Sequence, residues 1–146
     1  MTLLDGDIVR TNLSSELGFS KKHRSINVQR IGYVASEITK NGGVAICAPI
    51  APYRNDRDIN RRIISKVGGY IEVFVDTPLI KCEERDSKGL YKLAREGKIK
   101  EFTGVSDPYE APKDSDIIIN SDGSISPEEL VDDIYKKLIK IGYINN

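Results

Sequence analysis

Leu3-Leu4-Asp5-Gly6-Asp7-Ile8-Val9-Arg10 is the stretch around which the rest of the chain is read. Two leucines run directly into Asp-Gly-Asp, and an arginine follows three residues after the second aspartate. The leucines have the character of a buried strand's end, and Gly6 permits a sharp turn out of a sheet. Such a turn holds two carboxylates at the carboxyl edge of the sheet, where open α/β folds bind ligands. One carboxylate there can take a proton from a hydroxyl while the other orients a metal ion or water. Arg10 adds a planar fork suited to an anion. Asp-Gly is also ordinary turn chemistry, so the octapeptide alone leaves a plain turn open.

Downstream, strand-like and helix-like runs alternate. Ser20 is placed to cap a helix beginning near Lys22, in which Ile31, Val34, Ala35 and Ile38 recur at helical spacing, and Asn41-Gly42-Gly43 ends it. Val44 to Ala48 is a continuous apolar run, typical of a parallel strand covered on both faces. Pro49 stops it, and Ile50-Ala51-Pro52-Tyr53-Arg54 forms a loop at its end. A charged helix over about Asp56 to Lys66 follows, with Ile59, Ile63 and Ile64 on one side. Tyr70 to Val75 reads as a strand, Pro78 to Arg85 as a helix, and Asp86 to Gly104 as a polar segment. Ile117-Ile118-Ile119 is a short strand. Ser126-Pro127-Glu128-Glu129 carries a capping box with proline at the first helical position, and opens a last helix faced by Leu130, Ile134, Leu138 and Ile141. Alternation with short connections predicts an α/β fold, three layers deep (α/β/α), with a mainly parallel sheet.

Composition narrows the function classes. At 146 residues the chain is one domain's worth, and residues 1–146 read as a single domain. Lysine plus arginine equals aspartate plus glutamate at 22 each, so net charge argues for neither nucleic acid nor a membrane surface. No apolar run reaches transmembrane length and no signal-peptide core opens the chain. Cys47 and Cys82 lack metal spacing and read as buried reduced thiols in a cytoplasmic protein. His23, the single histidine, supports neither a triad nor an imidazole metal site.

Together, Asp5-Gly6-Asp7-Ile8-Val9-Arg10, Leu17-Gly18-Phe19-Ser20, Arg24-Ser25-Ile26-Asn27, Ile50-Ala51-Pro52-Tyr53-Arg54, Ile71 to Pro78, Lys88-Gly89-Leu90-Tyr91 and Phe102-Thr103-Gly104 resemble the adenylylsulfate kinase family. Their wording is closest to the kinase domain of bifunctional ATP sulfurylase/adenylylsulfate kinase enzymes. The resemblance implies a kinase fold of the P-loop nucleoside-triphosphate hydrolase type. It also implies transfer of the ATP γ-phosphate to the 3′-hydroxyl of adenosine 5′-phosphosulfate (APS), with Mg2+, giving 3′-phosphoadenosine 5′-phosphosulfate (PAPS). A homodimer or a fusion to ATP sulfurylase would go with it.

The same resemblance distributes roles. Asp7 matches the base or orienter of the acceptor hydroxyl, and Asp5 a residue near the Mg2+ site. Arg10, Arg24 and Asn27 match residues that hold the phosphosulfate and ribose. Phe19 and Phe102 match two rings that sandwich the adenine, a use suited to aromatic faces. The backbone at Ile50-Ala51 would line that pocket, and Lys88 matches a substrate-contacting lysine. Arg85 to Gly104 matches a mobile lid, in which Arg85, Lys92 and Arg95 would meet phosphate charge.

Two departures stand out. The family's first strand and its Gly-x-x-x-x-Gly-Lys-Ser/Thr loop, which cradles the ATP phosphates, have no counterpart in these 146 residues. The expectation is an N-terminally truncated piece or a relic, inactive as it stands, with an exposed gap or rearranged pairing in its sheet. A non-catalytic APS- or PAPS-binding regulatory domain of an ATP sulfurylase is the alternative. The second departure is Ala51, where many members carry serine; it excludes a phosphoserine carrier there and leaves direct in-line transfer untouched.

Overall fold

Asp5 closes strand β1 (Thr2–Asp5) and simultaneously caps helix α1 (Gly6–Leu13): its Oδ1 accepts from the amides of Asp7 and Ile8 at 2.9 and 3.1 Å. The sharp turn read from Asp-Gly-Asp is therefore the first turn of a helix. Only Val9 of α1 is buried, which is why no apolar period announced it. The computed structural model describes residues 1–144, which divide into two compact units.

The first unit comprises residues 1–70 and 100–111. After α1 come α2 (Lys21–Lys40), β2 (Ala45–Ala48) and α3 (Arg54–Ile64). Ser20 caps α2 by accepting from the His23 amide, and Gly42, at φ +76°, turns the chain out of it. β1 and β2 pair in parallel with Asp5 opposite Ala48, so both strands end at one edge. Leu4, Val9, Ile31, Ala35 and Ile64 form the core, with Val34, Ile38, Ala45 and Tyr70 packed against it.

The second unit comprises 71–99 and 112–144, with β3 (Val73–Asp76), α4 (Leu79–Arg85), α5 (Leu90–Arg95), β4 (Ile117–Asn120) and α6 (Pro127–Ile141). β3 and β4 also pair in parallel. The capping box at Ser126 and Glu129 forms as its spacing predicts, and Leu130 is the residue of α6 that is buried. The α/β architecture and its parallel pairing follow the sequence reading, realised among the described residues as two ladders of two strands each.

Two expectations are corrected. The run at residues 44–48 is not covered on both faces: Ile46, Cys47 and Ala48 are exposed, and among the described residues β2 pairs with β1 alone. Cys47 is accordingly not a buried thiol, although protein atoms around its sulfur still push its pKa up. Cys82 is half-buried.

The inner face of α3 is also not the isoleucine stripe. Asp56, Arg57, Asn60 and Ile64 are the buried positions, whereas Ile63 is exposed. Asn60 donates from Nδ2 to the Val28 carbonyl of α2 at 3.0 Å, and Gln29 donates to Asp56 at 3.2 Å. Gly32 makes this crossing possible, since a Cβ there would lie 2.0 Å from Asn60 Oδ1. Helix α2 thus partners Asn60 Nδ2 and one Asp56 oxygen, while Arg57 bonds to the Ala51 and Glu110 carbonyls.

Candidate functional site

In the first unit, the parallel register brings the ends of β1 and β2 together. A Cβ on Gly6 would lie 3.3 Å from Pro49 Cα and 3.5 Å from the Ala48 carbonyl oxygen, so the Asp5-Gly6-Asp7 turn abuts the loop that continues through Ile50 and Ala51. Asp7 is exposed in the first turn of α1, where the helix dipole favours a carboxylate. Ile50 is exposed, and Ala51 sits at φ +44°, a conformation a non-glycine residue keeps only when its surroundings enforce it. Arg57 supplies such a restraint by donating to the Ala51 carbonyl at 2.8 Å and to the Glu110 carbonyl at 2.6 Å.

The Phe19 turn lies between two arginines. Arg10 donates to the carbonyls of Leu17 and Gly18 at 3.1 and 2.9 Å, and its guanidinium carbon lies 4.5 Å from the Phe19 ring centroid. Arg24 donates from Nε to the Phe19 carbonyl at 2.7 Å and lies 5.9 Å from the same ring. His23 Nδ1 accepts from the Gly18 amide at 2.9 Å, a role the sequence reading did not give it. Burial lowers the pKa of Arg10, the charge of Arg24 lowers it further, and Asp7 opposes both. Asp7, Arg10 and Arg24 therefore share one electrostatic neighbourhood. The Phe19 ring itself remains 58% exposed.

Arg24 also reaches the Phe102 loop, donating to the Thr103 hydroxyl and the Glu101 carbonyl. Asn27, one turn further along α2, is buried, and its Oδ1 has no hydrogen-bond partner among the described residues. Thus the structure brings Arg10, Phe19, Arg24 and the Phe102 segment together, and Asp5 and Asp7 with the Ile50-Ala51 loop.

Sequence reasoning quoted Tyr53 and Thr103 within motifs but gave neither them nor Asp107 a role of their own. Tyr53 is buried, carries the Lys21 ammonium 4.9 Å from its ring centroid, and donates its hydroxyl to Asp107. Its pKa is pushed up to about 12, chiefly by burial and then by the Asp107 carboxylate it bonds. Below pH ~10 the phenol is protonated in both folded and unfolded chains, and its contribution to stability is complete. As pH rises from there through about 12, the unfolded chain ionises first and that contribution is lost. The stability advantage of wild type over Tyr53→Phe is therefore expected to shrink between pH ~10 and ~12. Denaturant titrations at stepped pH check this, and a constant difference across the window counts against the Tyr53–Asp107 bond.

Arg85, Lys88, Lys92 and Arg95 belong to the second unit. Arg85 donates to the Ser121 carbonyl at 2.9 Å, and Arg95 pairs with Glu83, which raises its pKa. Lys88 is exposed between α4 and α5. Asp86 accepts from the amides of Tyr91 and Lys92, both at 3.0 Å, so it anchors the start of α5; these bonds hold its own pKa down despite some desolvation.

Among the described residues, no three His, Cys, Asp or Glu side chains gather into a metal cage. Asp5 commits Oδ1 to the α1 cap. No helix among the described residues is long and apolar enough to cross a membrane.

The model of the adenylylsulphate kinase family matches residues 1–120. An adenylyl-sulfate kinase from Rippkaea orientalis is 49% identical over 144 residues, covering 99% of this chain and 77% of the relative. A sulfate adenylyltransferase from Aspergillus terreus is 48% identical over 146 residues, which span 99% of this chain and 26% of that protein. Among solved structures, the Mycobacterium tuberculosis APS kinase CysC in complex with AMPPNP and APS matches with a TM-score of 0.89 at 36% identity, over 94% of this chain and 79% of that one.

Proposed function

Because the chain belongs to the adenylylsulfate kinase family, we propose that it serves the transfer of the ATP γ-phosphate to the 3′-hydroxyl of APS, giving PAPS and ADP. The 3′-oxygen forms a bond to the γ-phosphorus as the bond to the β–γ bridging oxygen breaks, and ADP leaves with that electron pair. Asp7 orients the acceptor hydroxyl and takes its proton, a role suited to an exposed carboxylate beside Arg10. Phe19 and Phe102 stack on the adenine, and Arg10 holds the phosphosulfate. Asn27 meets the ribose, with a buried acceptor ready for a hydroxyl donor. Lys88 contacts APS, and Arg85, Lys92 and Arg95 answer phosphate charge; Asp5 or Asp7 would help hold a Mg2+ brought by the nucleotide, which would supply further charge compensation there. Arg95 has to leave Glu83, and Arg85 has to leave Ser121, to do so. A cytoplasmic location goes with this reading.

The observation that carries the reading is the shared position of Arg10, Phe19, Arg24 and the Phe102 segment. The residues assigned to APS all lie within these 146, while no Gly-x-x-x-x-Gly-Lys-Ser/Thr loop does. The chain is expected to bind APS or PAPS measurably and ATP far more weakly. Phe102→Ala should weaken APS binding by about tenfold or more, since stacking contributes roughly 1–3 kcal/mol per base and 1.4 kcal/mol is a factor of ten. Titration calorimetry on folded protein measures both. Equal affinity for ATP and APS would defeat the assignment of the pocket.

A second reading, a PAPS- or APS-binding domain without turnover, is favoured by the 48% identity to part of a sulfate adenylyltransferase. It differs in one respect: Asp7→Ala would then leave the protein's function intact.

A further inference from the structure

We propose that Arg24 is a positioning residue that ties the two ring-bearing segments to each other and so sets the separation of Phe19 and Phe102. The inference rests on the reading of those rings as the adenine clamp. It differs from the anion-holding role that the resemblance gives Arg24.

The guanidinium has five N–H donors in a fixed planar fork. At least three point at protein oxygens: Nε at the Phe19 carbonyl, Nη1 at the Thr103 hydroxyl and Nη2 at the Glu101 carbonyl. One acceptor belongs to the first ring's own residue, and the other two flank the second ring on either side. Few donors are left for an anion.

The loop so gripped is cross-braced by its own hydrogen bonds. The Phe102 carbonyl accepts from the amides of Val105, Ser106 and Asp107 at 3.1, 3.0 and 3.0 Å, and the Phe102 amide donates to Ser106 Oγ at 3.0 Å. Thr103 is buried, and Glu101 is held at φ +54°. Tyr53 fixes the far end of the loop through Asp107. Arg24 is thus the near-end tie, and its planar fork reaches three acceptors that a single ammonium cannot reach together.

Adenosine separates the two roles, because it offers rings a base and offers arginine no anion. Arg24→Ala and Arg24→Lys are both expected to weaken adenosine binding by roughly tenfold or more, the size of a lost stacking partner. Thr103→Val, which leaves Arg24 in place, should shift it in the same direction by less. If Arg24→Ala spares adenosine while APS binding falls, or if Arg24→Lys restores wild-type adenosine affinity, the arginine acts through its charge and the proposal is overturned. Amide hydrogen exchange without ligand provides the second readout. Exchange at Gly104 to Asp107 should quicken in Arg24→Ala and Thr103→Val while the α2 amides stay protected; unchanged loop protection in both variants also overturns it. Should the wild-type chain bind neither adenosine nor APS, the reading of the clamp fails, and the exchange result alone still decides whether the tie exists.

Discussion

Joined to a segment bearing Gly-x-x-x-x-Gly-Lys-Ser/Thr, the chain is expected to form PAPS, and Asp7→Ala in that protein is expected to lower kcat by about a hundred- to ten-thousand-fold. The 146 residues by themselves should turn over at background. Phosphoryl transfer depends on positioning and on charge stabilisation around the γ-phosphate, and a glycine-rich loop with its lysine supplies much of both. The role proposed for Asp7 is the remaining requirement, a base aligned with the acceptor oxygen. Asp7 stands in the first turn of α1, its backbone amide held by the Asp5 cap, and its charge acts on Arg10. Because Asp7 is not assigned to the adenine or the phosphosulfate, APS affinity should survive the substitution. An ADP-release assay and APS titration read the two quantities separately. A fall in affinity with kcat retained would move Asp7 out of the chemistry and into binding.

The largest stability effects should come from the α2–α3 core. Ile31→Ala and Ile64→Ala are each expected to destabilise by about 2–5 kcal/mol, from lost burial and the cavity left behind. Ile31 is 1% exposed and Ile64 5%, and both belong to the cluster around Leu4 and Val9. Ile63→Ala, one position away but 39% exposed, should change stability by about 1 kcal/mol or less. Denaturant unfolding of the three variants measures this directly. Equal effects at residues 63 and 64 would mean that α3 is rotated from the orientation described.

That contrast also marks how far the sequence could be read. On its own it determined the elements whose signals are local: Ser20 and Ser126 as helix caps, Asn41-Gly42-Gly43 as a helix end, and short apolar runs that had to pair in parallel. It also carried the ordered motifs by which the chain is recognisable as an adenylylsulfate kinase relative. Such features repeat over a few residues and depend on the backbone's own orphan donors and acceptors, so distant neighbours hardly alter them.

What the tertiary structure decided was partnership across long stretches of chain. Asp56 and Asn60 look like surface residues by composition, yet α2 lets them be buried, with the Gly32 notch and the Val28 carbonyl receiving Asn60 and Gln29 bonding Asp56. Cys47 looks like core, yet it is exposed on a strand that, among the described residues, pairs with β1 alone. Arg24 reads as an anion ligand from its motif, while its donors turn toward residues 77 and 79 positions away. The physical reason is the same in each case: burial and hydrogen bonding are satisfied by whichever groups the fold brings within reach, and sequence periodicity carries no record of who they are.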